Sequence, residues 1–292
     1  MKRLLLVGLT MVVVLGLSAT PAAAQTADMN TLPHPIDAVE NVWIEELTVT
    51  EVRDAIRGGK TTVIVAAGAM EQNGPFLVIG KHNYVLESTA PAIAMKLGNA
   101  LVAPVVRFSP SGDINPPTGH MEFAGTISLT QQTYEAVLTD IVSSLAQHGF
   151  TDIVLIGESG GGEQTGMDAV SQRLNALWKG RSYRVHYIPE YYEEDKHACR
   201  YLAKELGIVE TSGNCAPGTP SSYHTNYNYE AMVATTNPER IRTAQRIKAD
   251  LFQLNGVDLV SIKETLANGW KVVDYRATIV ARAIRKAISD WK

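Results

Sequence analysis

Apolar positions fall along this chain in two rhythms. Short unbroken runs at residues 61–67, 101–106 and 153–156 have the length and β-branched content of buried strands. Residues 184–188 alternate apolar and polar side chains, as a strand with one buried face does, and residues 126–129 predict a further short strand. Between them the period lengthens. Tyr134, Val137, Leu138, Ile141, Val142 and Leu145 share one helical face, predicting a helix over 131–148 that His148-Gly149 closes. Thr48 and Glu51 have capping-box spacing ahead of Val52 and Ile56, and Gly58-Gly59 ends that helix. Further helices are predicted at 84–97, from the glycines at 157–162 to about residue 178, at 195–206, from Pro238 to about residue 254, and at 274–290. Residues 109–119 and 212–228 read as loops. Strands alternating with helices predict an α/β fold built on a mostly parallel sheet.

The N-terminus follows a different rule. Lys2 and Arg3 precede an apolar stretch from residue 4 to 17, and Ala22-Ala23-Ala24 supply a small-residue cleavage site. That stretch falls short of the roughly 20 residues that span a bilayer. Residues 1–24 are therefore expected to be a secretory signal peptide and the mature protein to be secreted or periplasmic. Residues 25–41 read as a polar, extended lead-in, and 42–292 as one domain with a sizeable core. Loss of Lys2 and Arg3 takes the formal charge from −4 to −6. With no basic stripe and no later apolar span, neither nucleic acid nor membrane is expected as a partner of the mature chain. The two cysteines, Cys199 and Cys215, are expected to pair in an oxidising compartment; the alternative is two buried thiols.

Polar chemistry gathers where the predicted strands end, which is where open α/β sheets bind ligands. After the first strand come Glu71, Gln72, Asn73, Gly74 and Pro75, then Gly80, Lys81, His82 and Asn83. Glu71 and His82 could ligate a divalent metal or could be an ordinary exposed pair. After the strand at 153–156 comes Gly157-Glu158-Ser159-Gly160-Gly161. This fits a nucleophile elbow with Ser159 as nucleophile and His224 and Asp195 as possible partners, although upstream oxyanion glycines are missing. The same glycines also suit a tight turn that presents helix N–H groups. His120 and Glu122 precede the strand at 126–129, and His120 alone reads as a hydrogen-bonded loop residue.

In order and content these segments resemble the creatininase (creatinine amidohydrolase) family: Glu71 to Pro75, Gly80 to Asn83, His120 with Phe123 to Leu129, His148-Gly149-Phe150, and Gly157 to Gly161. The resemblance is clearest over residues 43–178. It implies a three-layer α/β/α sandwich, metal-dependent cleavage of small or cyclic amides, two divalent metals at the strand ends, and ring-like homo-oligomers. It places a metal-binding Glu at Glu71. Asn73 stands where many members have a ligand His, and His82 where many have a ligand Asp. Phe76 and Ser159 replace imidazoles of the usual pattern, and Thr225-Asn226 follow His224 where His-Ala-Gly is usual. A hydroxyl or phenyl ring does not replace a neutral nitrogen ligand. The expectation is therefore one ion, zinc or manganese, or none, with Glu71, His82 and Glu158 as ligands. Glu158, Ser159, His120 and His224 are the catalytic candidates. The implied activity is hydrolysis of a small-molecule amide. The alternatives are a non-catalytic small-molecule binder and a serine hydrolase using Ser159.

Overall fold

The computed structural model describes residues 28–291 except 35, 194, 214, 217–222 and 260, so the expected signal peptide lies outside the described residues. Four parallel strands form the central sheet: β1 (Thr62–Ala67), β2 (Ala100–Val102), β3 (Asp152–Gly157) and β4 (Arg184–Tyr187), in the order β2-β1-β3-β4. β1 sits centrally and pairs with β3 along its whole length, from Thr62 opposite Asp152 to Ala67 opposite Gly157. Every residue of β1 is buried, as its unbroken apolar run requires of a strand covered on both faces.

The helices are α1 (Val49–Arg57), α2 (Lys81–Leu97), α3 (Gln131–Gln147), α4 (Gly162–Leu177), α5 (Glu190–Glu193), α6 (Asp195–Glu205), α7 (Tyr227–Thr236), α8 (Thr243–Lys248) and α9 (Ile262–Trp291). Side chains alternate across the sheet, so β1 supplies two cores at once. Val63 and Val65 join Ile153 and Leu155 against Tyr134, Leu138 and Val142 of α3 and Met167 and Val170 of α4. Ile64 and Ala66 join Val154 and Ile156 against Leu86 and Ile93 of α2 and Val280 and Ile284 of α9. Full burial of each large apolar side chain contributes about 1.5–3 kcal/mol. This is the expected three-layer α/β/α arrangement. A third core lies beyond the sheet, where α7 packs on α2 and α9 through Met232, Val233, Val85 and Val272. Among the described residues no helix is long and apolar enough to cross a membrane. The capping box at Thr48 and Glu51 is formed, and Cys199 and Cys215 are bonded with Cα atoms 5.2 Å apart.

Four sequence expectations change. Residues 126–129 form no strand; Ile127 makes only an isolated antiparallel bridge to Met70. The helix expected from Pro238 is broken into a 3₁₀ turn, Pro238–Ile241, and the short α8, with Arg242 between them in a left-handed conformation. The last helix begins twelve residues before the predicted 274. α2 begins at Lys81, so Lys81 and His82 stand in its first turn rather than on a loop.

Candidate functional site

Residues 68–80 connect β1 to α2 and are held like a small rigid element. Glu71 N–H donates to Ile79 O at 3.0 Å. Asn73 Nδ2 donates to Glu71 O at 2.8 Å and to Val78 O at 3.2 Å. The Asn-Gly turn thus ties both strands of its own loop together and fixes the direction of the Glu71 side chain. Glu71 is 3% exposed, and a buried carboxylate must be paired. Its Oε1 accepts from Ser111 Oγ at 2.9 Å and Ser159 Oγ at 2.8 Å. Its Oε2 lies 3.1 Å from His82 Nε2 and 3.5 Å from His120 Nε2. Burial alone would raise the Glu71 carboxyl. The His82 hydrogen bond and charge, the His120 charge and the Ser159 hydroxyl outweigh it and hold the group well below the carboxylate range.

One more imidazole, His224, completes the cluster. The ring of His224 lies 4.7 Å from that of His120 and 6.2 Å from that of His82, centroid to centroid. The backbone carbonyl of His224 accepts from Lys81 Nζ at 2.9 Å, which pins this residue to the start of α2. Burial by its neighbours, then the Lys81 ammonium and the neighbouring imidazoles, pull His224 down to about 3, although the residue as a whole is exposed. His224 is thereby neutral near pH 7, the form in which a histidine ligates a metal. One ligand atom each from Glu71, His120 and His224 lies within 4.8 Å of the other two. A carboxylate and two imidazole nitrogens at that spacing suit one divalent ion with a coordination position left open. His120 Nδ1, buried and without a hydrogen-bond partner, is a further polar atom at this site.

The cluster faces a cleft of about 420 Å³ whose other walls include Pro110, Gly160 to Gly162, Tyr192, Thr225, Asn226 and Tyr229. A Cβ at Gly160 would sit 2.6 Å from the Tyr192 hydroxyl and push that side chain aside, and Gly161 turns into α4 with φ of +61°. The glycines serve this close approach and turn.

Of the residues expected from the sequence, the structure brings together Glu71, His82, His120, His224 and Ser159. Glu158, expected beside them as a ligand, is not in this group and does not line the cleft. It continues the side of β3 that packs on α9, and its Oε2 lies 3.1 Å from Arg276 Nη2 in a fully buried ion pair. Both residues follow the last strand residue, Gly157, and their side chains diverge: Ser159 meets Glu71 while Glu158 meets Arg276. Ser159 has a carboxylate partner rather than the imidazole a serine nucleophile uses. Phe76, half-buried, lies edge-on to Tyr223 and under the Arg246 guanidinium.

Sequence reasoning missed Ser111, Lys81, Glu163 and Arg276. Glu163 is fully buried in the first turn of α4, and its Oε1 accepts from Ser159 N–H at 2.8 Å. Burial raises it well above the carboxylate range, with the Ser159 and Ser109 hydrogen bonds opposing and the charges of Glu71 and Glu158 adding. An acid at the start of a helix behind a glycine turn was a readable signal. Ser111 and Arg276 carried none, since loop closure and a helix over a hundred residues away bring them in.

The sequence family described as creatininase, creatinine amidohydrolase, matches residues 45–273. A creatinine amidohydrolase of Pseudomonas putida is 27% identical over 117 residues, 40% of this chain and 44% of that protein, so the match spans less than half the length of that curated relative. A solved creatinine amidohydrolase (creatininase) superposes with a TM-score of 0.54 at 18% identity, covering 86% of this chain and 96% of the other. Creatininase structures described as an Mn form and as a mutant of Zn-Zn type do so with TM-scores of 0.54, at 18% identity over 86% of this chain and 97% of theirs. Likeness at that identity speaks to the fold, whereas the family match runs through both strand-end loops and most of the domain. The chain belongs to the creatininase family.

Proposed function

We propose that the protein is an exported hydrolase that cleaves the C–N bond of a small linear or cyclic amide with one divalent ion held by Glu71, His120 and His224. The observation that carries this is the convergence of those three ligand atoms within 4.8 Å at the floor of a cleft at the strand ends. The Mn and Zn-Zn creatininase structures make manganese and zinc the first ions to test. A divalent ion there, when bound, supplies Lewis acidity toward the amide carbonyl and lowers the pKa of water.

The chain's own residues do the positioning. Ser111 and Ser159 hold Glu71 Oε1 and so orient its carboxylate. His82 Nε2, 3.1 Å from Glu71 Oε2, braces the second oxygen and is placed to exchange a proton with it. His120 and His224 present rings to the cleft, where neutral nitrogens ligate or accept a proton. The loop at 119–122 and the walls formed by Tyr192 and Tyr229 bound the substrate volume. A homo-oligomeric state belongs to the same reading.

The test is elemental analysis of the purified mature protein. About one zinc or manganese per chain is expected, with amide hydrolysis lost on chelation and restored by the ion. Protein that neither retains nor rebinds either ion overturns the reading. N-terminal sequencing of exported material should begin at or near Gln25, and light scattering reads the oligomeric state.

A further inference from the structure

The wall of the cleft beside His224 has polar groups that the metal cluster does not use. Lys81 is 1% exposed, with Nζ donating to His224 O at 2.9 Å and lying 4.5 Å from the centroid of the Tyr229 ring. The next two residues after His224 are Thr225, 6% exposed, and Asn226, 0% exposed. Thr225 Oγ1 and Asn226 Oδ1 are both buried with no hydrogen-bond partner among the described residues, and both residues line the cleft. Asn226 occupies the N-cap of α7, where an Asn oxygen ordinarily accepts from the first helical N–H groups, yet it makes no such cap bond. Unsatisfied buried oxygens are rare and costly. Here a hydroxyl and an amide oxygen occur in succession, at the peptide that the buried ammonium contacts. They also stand where the resembling family has Ala-Gly, which offers no side-chain polar atom.

We propose that Lys81, Thr225 and Asn226 form a carboxylate subsite, and that the protein acts on a small amide carrying a free carboxylate beside an N–H. Lys81 Nζ and the Thr225 hydroxyl donate to the carboxylate, and Asn226 Oδ1 accepts from the adjacent N–H. His224 links the two ends of the cleft: its ring belongs to the ion cluster and its carbonyl to Lys81. The carboxylate is therefore seated one residue away from the reacting centre. The proposal rests on the amide-hydrolase reading for the reacting end of the substrate, and the binding end is tested separately.

The experiment measures binding of N-acetylglycine and of its uncharged counterpart, N-acetylglycinamide, to the full mature protein by calorimetry. The acid is expected to bind at least about tenfold more tightly than the amide, the range of a charge-assisted hydrogen bond. Thr225→Val keeps the shape and removes only the hydroxyl; it should cut that preference by about tenfold, because the hydroxyl binds a carboxylate more strongly than a carboxamide. Lys81→Met should abolish the preference. Equal binding of both probes, no saturable binding of the acid at millimolar concentration, or a preference that survives Thr225→Val in folded protein overturns the subsite. Selective binding of the acid without hydrolysis of any amide supports the subsite and removes the proposed function. Hydrolysis of neutral amides with no preference for the acid removes the subsite and keeps the proposed function.

Discussion

Glu71 and Glu158 follow the ends of adjacent strands, are both buried, and lie in opposite kinds of surroundings. Around Glu71 stand two imidazoles and two hydroxyls, and the cluster opens on a cleft. Around Glu158 stands a guanidinium, Arg276, itself 2% exposed and lying over the Tyr191 ring with 4.3 Å to its centroid. A second closed pair, Arg246 with Glu230 at 2.6 Å, sits in the third core. There burial raises Glu230 to about 7 against the lowering effect of Arg246. The lesson is that a buried carboxylate at a strand end is not diagnostic of chemistry. An arginine beside it satisfies the carboxylate within the protein and closes the site. Histidines and hydroxyls leave it a charge that a metal can share, and leave room for a ligand.

The sharpest way to break this comparison is to make the same isosteric change at both ends. Glu71→Gln should reduce metal affinity by more than about 100-fold, the upper range for loss of a merely supporting partner, and abolish turnover. The protein should stay folded, because the amide still accepts from Ser111 and Ser159. Glu158→Gln should do the reverse. It leaves the Arg276 charge uncompensated, which is expected to cost about 3 kcal/mol or more of stability. Metal content per folded chain should hold. Urea unfolding and elemental analysis read the two effects separately, and matching losses of metal in both variants would erase the distinction drawn here.

The sequence showed one side of this contrast and not the other. β1 and β3 were legible because strands covered on both faces must be apolar throughout, and α3 because its buried stripe is narrow. The Glu71 loop was legible because its acid, amide, glycine and histidine crowd a few residues. α7 lies almost wholly between the loop expected at 212–228 and the helix expected from Pro238, where the sequence predicts no element, because Tyr227 to Ala234 are buried all round, which leaves no polar face and no helical period to detect. The misplacement of Glu158 has the same kind of origin. Its neighbour on α9 is 118 residues away, and nothing local to the glycine turn announces that an arginine waits for it. Conversely, the start of α2 at Lys81 was hidden because Gly80 provides no side-chain cap. That start is what turns Lys81 and His82 into the cleft walls.

A smaller effect is expected from the disulfide, which ties α6 to the segment leading into His224. Cys215 Sγ lies 3.7 Å from Asn226 Nδ2. Its sequence separation of 16 predicts about 3 kcal/mol in the chain-entropy model, and native strain lowers such values in practice. The Cys199→Ser, Cys215→Ser double variant should unfold at lower urea and loosen the His224 side of the cluster while leaving Glu71 and His82 in place. Non-reducing thiol labelling of the unfolded wild-type chain should find no free thiol. Two labelled cysteines would remove the bond.

Acid should also act unequally on the two regions. Glu71 has a folded pKa below its ordinary value of 4.5, so its contribution to stability is complete above the unfolded value. That contribution fades as pH falls through that value toward the folded one. In metal-free protein the stability difference between wild type and Glu71→Gln should therefore shrink below about pH 4.5. A difference that stays constant into that range would mean that the carboxylate is not held charged by its imidazoles.

The smallest and most pointed test falls on Ser159, one residue from Glu158 in sequence but bonded to Glu71 rather than Arg276. Its hydroxyl donates to Glu71 Oε1 at 2.8 Å, and its N–H donates to Glu163. Ser159→Ala removes the first bond and keeps the second, since the backbone is unchanged. Ser111 still holds Oε1 at 2.9 Å, so Glu71 stays oriented by one hydroxyl and two imidazoles. Loss of an outer hydrogen bond to a ligating carboxylate predicts a decline of about tenfold in metal affinity, with turnover recovering at saturating metal. A serine nucleophile behaves differently: its removal abolishes turnover at any metal concentration, and a serine-reactive phosphonate labels the wild-type protein. Recovery of activity by added metal in Ser159→Ala therefore places Ser159 in support of Glu71. Failure to recover, together with phosphonate labelling, would make Ser159 the nucleophile and would make Glu71 its hydrogen-bond acceptor rather than a metal ligand.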